Sequence, residues 1–402
     1  MNKCLYALIA SMMLLACGES RHESAKRMDP VNMSDIKIKD DFWTPYLLTH
    51  KDVTLPICVD WIEDHFDSAM VAKVSEGIEY SLQFEDDPEL KVKRSGWITR
   101  IRNKSEYHLP EIERREINDR VSELFREGDS LLLRKDGTYA DKMEQLLYNK
   151  VLAGITLKGD LYFSELPSSS NGNWSRQNWE ETPSCAADLF RAIPSMANYA
   201  YATTKGTLWV NFFIGGRAKI TVDREEIIVD QVTSYPWDGY MSLRLGVQKP
   251  TNADIRIRIP SWCEDFTLTV NGNVVNAPVK AGYAALSGKW QNNDSIELIL
   301  DMPVKVIDEC LFGKKEGTRA VCRGPLIYCA EEIDNPSWAD NLKLSPKTDF
   351  KLEDLPKRDW FGHPLTRIKA SDSGMRSLSM IPYFAWGNRA PGKMEVFIPY
   401  DN

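Results

Sequence analysis

The chain has 402 residues, 43% hydrophobic and 27% charged, with a formal net charge of −8. That length exceeds what one core usually supports, so more than one domain is expected. The acidic balance argues against nucleic acid or an anionic lipid surface as partner, since both need a basic face.

Lys3 and the apolar run Leu5 to Leu15 read as a targeting segment too short to span a bilayer as a mature helix. Leu14-Leu15-Ala16-Cys17 resembles a bacterial lipobox, in which the cysteine is lipidated and becomes the new N-terminus; an ordinary secretory signal is the alternative. Residues 1–17 are expected to be a lipoprotein signal peptide with Cys17 as the lipidation site, and 18–34 a tether. The expected address is the cell envelope, periplasmic or at the outer-membrane surface, with the membrane reached only through the lipid. Cys58, Cys185, Cys263, Cys310, Cys322 and Cys329 show no paired spacing and read mostly as buried thiols.

Asp35 to Asp40 alternates and reads as one strand. From Leu55 the apolar residues recur at steps of three and four, as in Val71, Val74, Ile78 and Leu82. Pro88 opens a further helix carrying Leu90, Trp97 and Ile101. Ile112, Val121, Leu124 and Phe125 mark the next, and Tyr139 to Ile155 follows. Gly159-Asp160 reads as a hairpin turn between short strands, and Ser168 to Asn173 as a loop. The stretch Trp179 to Ala202 then places Ser184 and Cys185 at a helix start. Beyond it the period becomes two, as in Asp254 to Ile259 and in Phe266 to Val270, which enters the turn Asn271-Gly272. Short strands at such spacing indicate antiparallel sandwiches, and a second set begins at Arg319.

Seven blocks resemble, in order, the bacterial β-L-arabinofuranosidase family of glycoside hydrolases. They are IKDDFWTPYLLTHKDVTLP (38–56), DPELKVK (87–93), TYADKMEQLLYNKVLAGITLKGDLYF (138–163), SYPWDGYMSLRL (234–245), IRIPSWCEDFTLTVNG (257–272), RAVCRGPLIYCAEE (319–332) and IPYFAWGNRAPGKMEVFIP (381–399). The resemblance implies an α/α barrel followed by two β-sandwiches. Members carry many more barrel helices between the positions of Trp97 and Glu116, where this chain has only Asn103 to Glu113. The expected fold is therefore α+β multidomain: a truncated α/α barrel over 35–202, a β-sandwich over 203–310 and a C-terminal β-sandwich over 311–402. An incomplete barrel is expected to leave an apolar patch around Leu82, Trp97, Leu124 and Phe125.

The resemblance also implies a chemistry. A cysteine thiolate attacks the anomeric carbon, a carboxylate serves as acid and base, and zinc held by a Glu-x-Cys motif and a Cys-Cys pair orients the nucleophile. Metal binding deprotonates a thiol, and two displacements at one carbon retain configuration. Mapped onto this chain, the pair falls on Ser184-Cys185, so serine holds the nucleophile position, and Glu-x-Cys falls on Glu116-Ile117-Asn118. The acid/base position falls at the shortened connection near Arg100, without a counterpart. Glu116 and Cys185 are the remnant zinc ligands, and one carboxylate with one thiol does not complete a four-coordinate site.

Each residue also has a plainer role: Ser184 as an N-cap, Cys185 as a small core residue, Glu116 on a solvated helix face. Glu180 and Glu181, adjacent on a loop, make a poor catalytic dyad, and only His65 or His108 would be available as a base for Ser184. Trp179 is the substrate-binding candidate, with Trp174, as a stacking platform; a loop tryptophan also commonly plugs an interface. The expected function is a glycoside hydrolase family member related to retaining β-L-arabinofuranosidases but catalytically impaired. It would bind zinc weakly or not at all and have a plant-type glycan or oligosaccharide as partner. The alternative is a non-catalytic carbohydrate-binding or structural surface lipoprotein.

Overall fold

The computed structural model describes residues 27–102, 115–336, 343–371 and 377–401. Cys17, His108, Ile112 and the connection Asn103 to Glu113 lie outside them.

The helical part starts before Leu55. Asp40 Oδ1 accepts the N–H groups of Phe42 and Trp43 (3.1 and 2.5 Å), and this local cap launches the helix Trp43–Thr49. A π turn at His50–Thr54 joins it to the helix Leu55–His65. The helix Ser68–Phe84 is capped by Asp67, whose Oδ1 takes the N–H groups of Ala69 and Met70. The helices Pro88–Arg102, Glu116–Arg134 and Gly137–Leu146 follow, the last running on through a π turn at Leu147–Val151.

The helices Trp43–Thr49, Ser68–Phe84 and Glu116–Arg134 pack on the helix Pro183–Ser195, which is buried over nearly its whole length. Gly77 lets it come close: a Cβ there would lie 2.5 Å from the Phe190 ring. The expected apolar patch is not what the helices present. Leu124 and Trp97 are buried, Leu82 and Phe125 are partly covered, and the Arg191 guanidinium sits 4.8 Å from the Phe125 ring centroid. The few helices close on the Pro183–Ser195 helix and so bury the stripes that a full barrel would cover.

Two local expectations change. Gly159-Asp160 does form a turn, with Gly159 at φ +76°, but only a single bridge, Ile155 to Tyr162, flanks it. Ser169–Asn171 is a strand rather than loop, because it pairs with Lys393–Glu395 from the far end of the chain.

The first β region comprises a six-stranded and a seven-stranded sheet, each with one buried face. The N-terminal segment edges both: Asp29–Pro30 pairs with Tyr201–Thr204, and Ile36–Ile38 with Gly216–Val222. From Met28 onward the stretch expected as tether is therefore docked, its Met28 N–H bonded to Leu132 O (2.7 Å). The Asn271-Gly272 turn forms as expected, with both residues at positive φ (50° and 76°). The second β region is one forked nine-stranded sheet. Along one edge of Thr318–Arg323, Leu326–Glu331 pairs with its end and Phe397–Pro399 with its beginning.

A buried ionic lock ties helices to sandwich. Arg258, 0% exposed, donates to Asp141 Oδ1 (2.6 Å) and Glu144 Oε1 (2.5 Å) of the helix Gly137–Leu146. Its Nε donates to Asn211 O (2.6 Å). Burial pushes the Glu144 carboxyl upward in pKa and the Arg258 charge opposes this.

Candidate active site

The helix Pro183–Ser195 begins at a proline, the residue type suited to a first-turn position. Its N-cap is Thr182, not Ser184. Thr182 makes no side-chain cap; its N–H and Oγ1 both donate to Tyr162 Oη (2.9 and 3.1 Å), which in turn donates to Trp179 O. That frees the Ser184 hydroxyl for a buried cluster within the helical part.

Asp188, one turn further on, is its hub. Its Oδ2 accepts from Lys73 Nζ (2.7 Å) and Asn118 Nδ2 (2.6 Å), and its Oδ1 from Arg191 Nε (2.9 Å). Arg191 continues to Glu76 Oε2 (2.7 Å). Ser184 Oγ accepts from the same two donors, Lys73 Nζ at 3.0 Å and Asn118 Nδ2 at 3.1 Å. The Asn118 orientation is set by its other end, where Oδ1 accepts the Arg115 N–H (3.0 Å) and the Cys185 thiol (3.3 Å). Asn118 thereby caps the start of its own helix through a backbone N–H while bridging to the next one.

The structure thus brings Ser184, Cys185 and Asn118 together. Glu116 goes elsewhere. Its Oε1 accepts from the buried Lys150 (3.0 Å) and from Arg120 (3.4 Å), and its Oε2 from the Leu166 N–H (2.9 Å). The solvated face expected for it is replaced by an ion pair with a buried lysine. Among the described residues, no three His, Cys, Asp or Glu side chains converge in a way that could hold a metal.

The electrostatics favour a settled cluster. Burial pushes the Cys185 thiol up to about 12, and the Asp188 charge adds to it, so the sulfur stays protonated at neutral pH. Lys73 Nζ is paired with the Asp188 carboxylate at 2.7 Å. Among the described residues, no carboxylate or imidazole accepts the Ser184 proton. His65 is exposed and stacked on Trp61 (4.8 Å), and its Nδ1 lies 3.1 Å from Trp61 O. Near the acid/base position Arg100 packs over the Phe66 ring (3.7 Å). Glu181 accepts from Gln177 (3.0 Å), while Glu180 only has its N–H bonded to Asn178.

Trp179 cannot stack on a sugar. It is 6% exposed, inside the core, so the substrate-binding expectation fails there for want of an open face. Trp174, by contrast, is half-buried at the rim of an open cleft. The cluster residues missed in the sequence are Lys73, Glu76, Asp188 and Arg191, and Lys150, the partner of Glu116, was missed beside them. Asp188 stands four positions after Ser184, a helical spacing that placed both on one face. Nothing local marks Lys73, which comes from a different helix.

Comparison with known proteins places the chain beside one group. Three family models match in order: the β-L-arabinofuranosidase GH127 catalytic domain over residues 106–198, the GH127 middle domain over 207–302 and the glycoside hydrolase family 127 C-terminal domain over 309–399. A non-reducing end β-L-arabinofuranosidase of Bifidobacterium longum subsp. longum is 29% identical over 304 residues, which is 66% of this chain. The chain spans 46% of that relative's length. A solved GH127 β-arabinofuranosidase aligns with a TM-score of 0.79 at 20% identity, covering 94% of this chain and 98% of that one. Its likeness lies in the fold. A GH127 β-L-arabinofuranosidase from Geobacillus stearothermophilus T6 gives a TM-score of 0.64 at 26% identity, over 82% of this chain and 59% of that one.

Proposed function

The chain belongs to glycoside hydrolase family 127, and from that premise we propose that it recognises an L-arabinofuranoside-containing or related plant-type glycan without hydrolysing it through the Ser184 position. One observation carries the reading: among the described residues, Ser184 Oγ faces two donors and no base. The ammonium of Lys73 and the amide of Asn118 both point hydrogens at it, and both are held by Asp188. A serine hydroxyl attacks only when something takes its proton. The Lys73 Nζ is already engaged, at 2.7 Å, by a buried carboxylate.

Zinc is not part of this reading, on the character of the donors. The positions in question offer a protonated thiol, an amide and a hydroxyl, beside a fixed ammonium that repels a cation. Glu116, the remaining carboxylate, is already matched by Lys150 and Arg120. Anchorage through Cys17 at the cell envelope completes the proposal, supported by the lipobox-like run. Detergent phase partitioning that Cys17→Ser leaves unchanged would remove it.

The test of the central claim is hydrolysis of an aryl β-L-arabinofuranoside by the full chain, with zinc content measured on the same preparation. The expected result is no turnover above buffer and substoichiometric metal. Turnover that Ser184→Ala abolishes, or a stoichiometric zinc that Cys185→Ala removes, overturns the proposal.

A further inference from the structure

We infer that the cleft beside Trp174 is a binding subsite for one neutral sugar ring, separate from the Ser184 cluster; this rests on the glycan-recognition reading above. The cleft holds about 270 Å³, close to the lower end of small-ligand pockets.

Its wall is rigid. Phe163 stacks on Trp386 (4.6 Å between centroids, 14° between planes), and the Arg176 guanidinium packs 4.2 Å from the Phe163 centroid. Arg176 is itself fixed, donating to Ala153 O (3.0 Å) and Trp386 O (2.9 Å). Trp174 meets Phe163 edge-on, at 6.5 Å and 75°, and stands half-buried at the rim. The loop that carries it is held from both ends. On one side Ser169–Asn171 pairs with Lys393–Glu395. On the other, Gln177 exchanges both main-chain hydrogen bonds with Tyr162 (2.8 and 2.9 Å).

The polar lining is a chain of planar and hydroxyl groups. Ser164 Oγ donates to Gln177 Oε1 (3.2 Å), and Gln177 Nε2 donates to Glu181 Oε2 (3.0 Å). In sequence, an amide that donates from its nitrogen and accepts at its oxygen and a carboxylate that accepts at both oxygens can bridge adjacent hydroxyls. A sugar ring offers the matching surfaces: a C–H face for an indole and an edge of hydroxyls. The charges cancel in number, with Arg176 against Glu181, which suits a neutral ligand. An anion would meet the Glu181 carboxylate, and an apolar ligand would leave Gln177 and Glu181 desolvated without partners.

The experiment is isothermal titration of the full chain with a β-linked L-arabinofuranose disaccharide and, separately, a neutral hexose disaccharide, at millimolar sugar. Saturable binding of at least one is expected, weakened about tenfold by Trp174→Ala and about fivefold by Gln177→Ala, with melting temperatures near that of the unaltered chain. Binding that neither substitution weakens overturns the cleft while leaving glycan recognition standing. Absence of binding to either sugar by the unaltered chain overturns both.

Discussion

Two buried ionic networks invite comparison, the Arg258 lock and the Ser184 cluster. Both gather a cation, carboxylates and backbone partners in the interior, yet only one sits where chemistry was expected. The lock spans two regions, with a fully buried guanidinium gripping Asp141 and Glu144 across the boundary between helices and sandwich. The cluster stays within the helical part and alternates charge along Lys73, Asp188, Arg191 and Glu76, with Lys73 still 22% exposed. A polar cluster at the position of a family's catalytic residues is thus read by its hydrogen bonds rather than by its place alone. What matters is which way its protons point, and here they point at the serine.

Breaking the lock has the largest expected effect. Arg258→Leu leaves two carboxylates buried without their cation, at a cost of about 3–5 kcal/mol. Denaturant unfolding should show that loss, or the protein should fail to accumulate in soluble form. A stability unchanged within 1 kcal/mol would mean that the lock is not what joins the regions.

Acid acts on the cluster's side of the molecule. Burial lowers His50 to about 4; its ring stacks on Phe190 and its Nε2 bonds to Phe190 O (2.9 Å), on the Ser184 helix. His363 is lowered to about 4 as well, again by burial. Between an ordinary histidine value of about 6.5 and about 4, the unfolded chain binds the extra proton. Each histidine therefore removes stability as pH falls through that window, by up to about 3 kcal/mol, and contributes nothing above it. The buried carboxyls Asp40, Glu144 and Glu331, raised chiefly by burial, run the opposite way. The clean comparison is thus with His50→Phe, whose melting temperature should fall less between pH 6.5 and pH 4 than that of the unaltered chain. Equal slopes would refute the assignment.

Within the cluster, Asp188→Asn should cost about 1–3 kcal/mol, because the amide carries no charge and can accept at only one of the two ends that now serve Lys73 and Arg191. Ser184→Ala should cost less, about 0.5–1.5 kcal/mol, because both of its donors keep Asp188. Thermal melts of the two variants rank them; the reverse order would make Ser184 rather than Asp188 the hub.

Much of the fold was legible because the stripes are strongly periodic: Val71, Val74 and Ile78 were read as core and are fully buried. The helix at Trp43–Thr49 was missed because its start depends on Asp40 bonding three residues ahead rather than on an apolar repeat. At the candidate site, the positions of Ser184, Cys185 and Asn118 were readable from motif order, and they do meet. Trp179 was misread because an aromatic near a helix start looks the same whether it faces solvent or core.

By itself the sequence determined the order of helices and strands, the tight turn at Asn271-Gly272 and the presence of serine at 184 and asparagine at 118. Those follow from local periodicity, backbone conformation and residue identity. Only the tertiary structure decided that Lys73 from another helix reaches Ser184, that Glu116 turns to Lys150 and that Trp174 stands at the rim of a cleft. Such outcomes depend on which side chains meet across long sequence separations, where burial and charge pairing decide the contact and no local pattern records it.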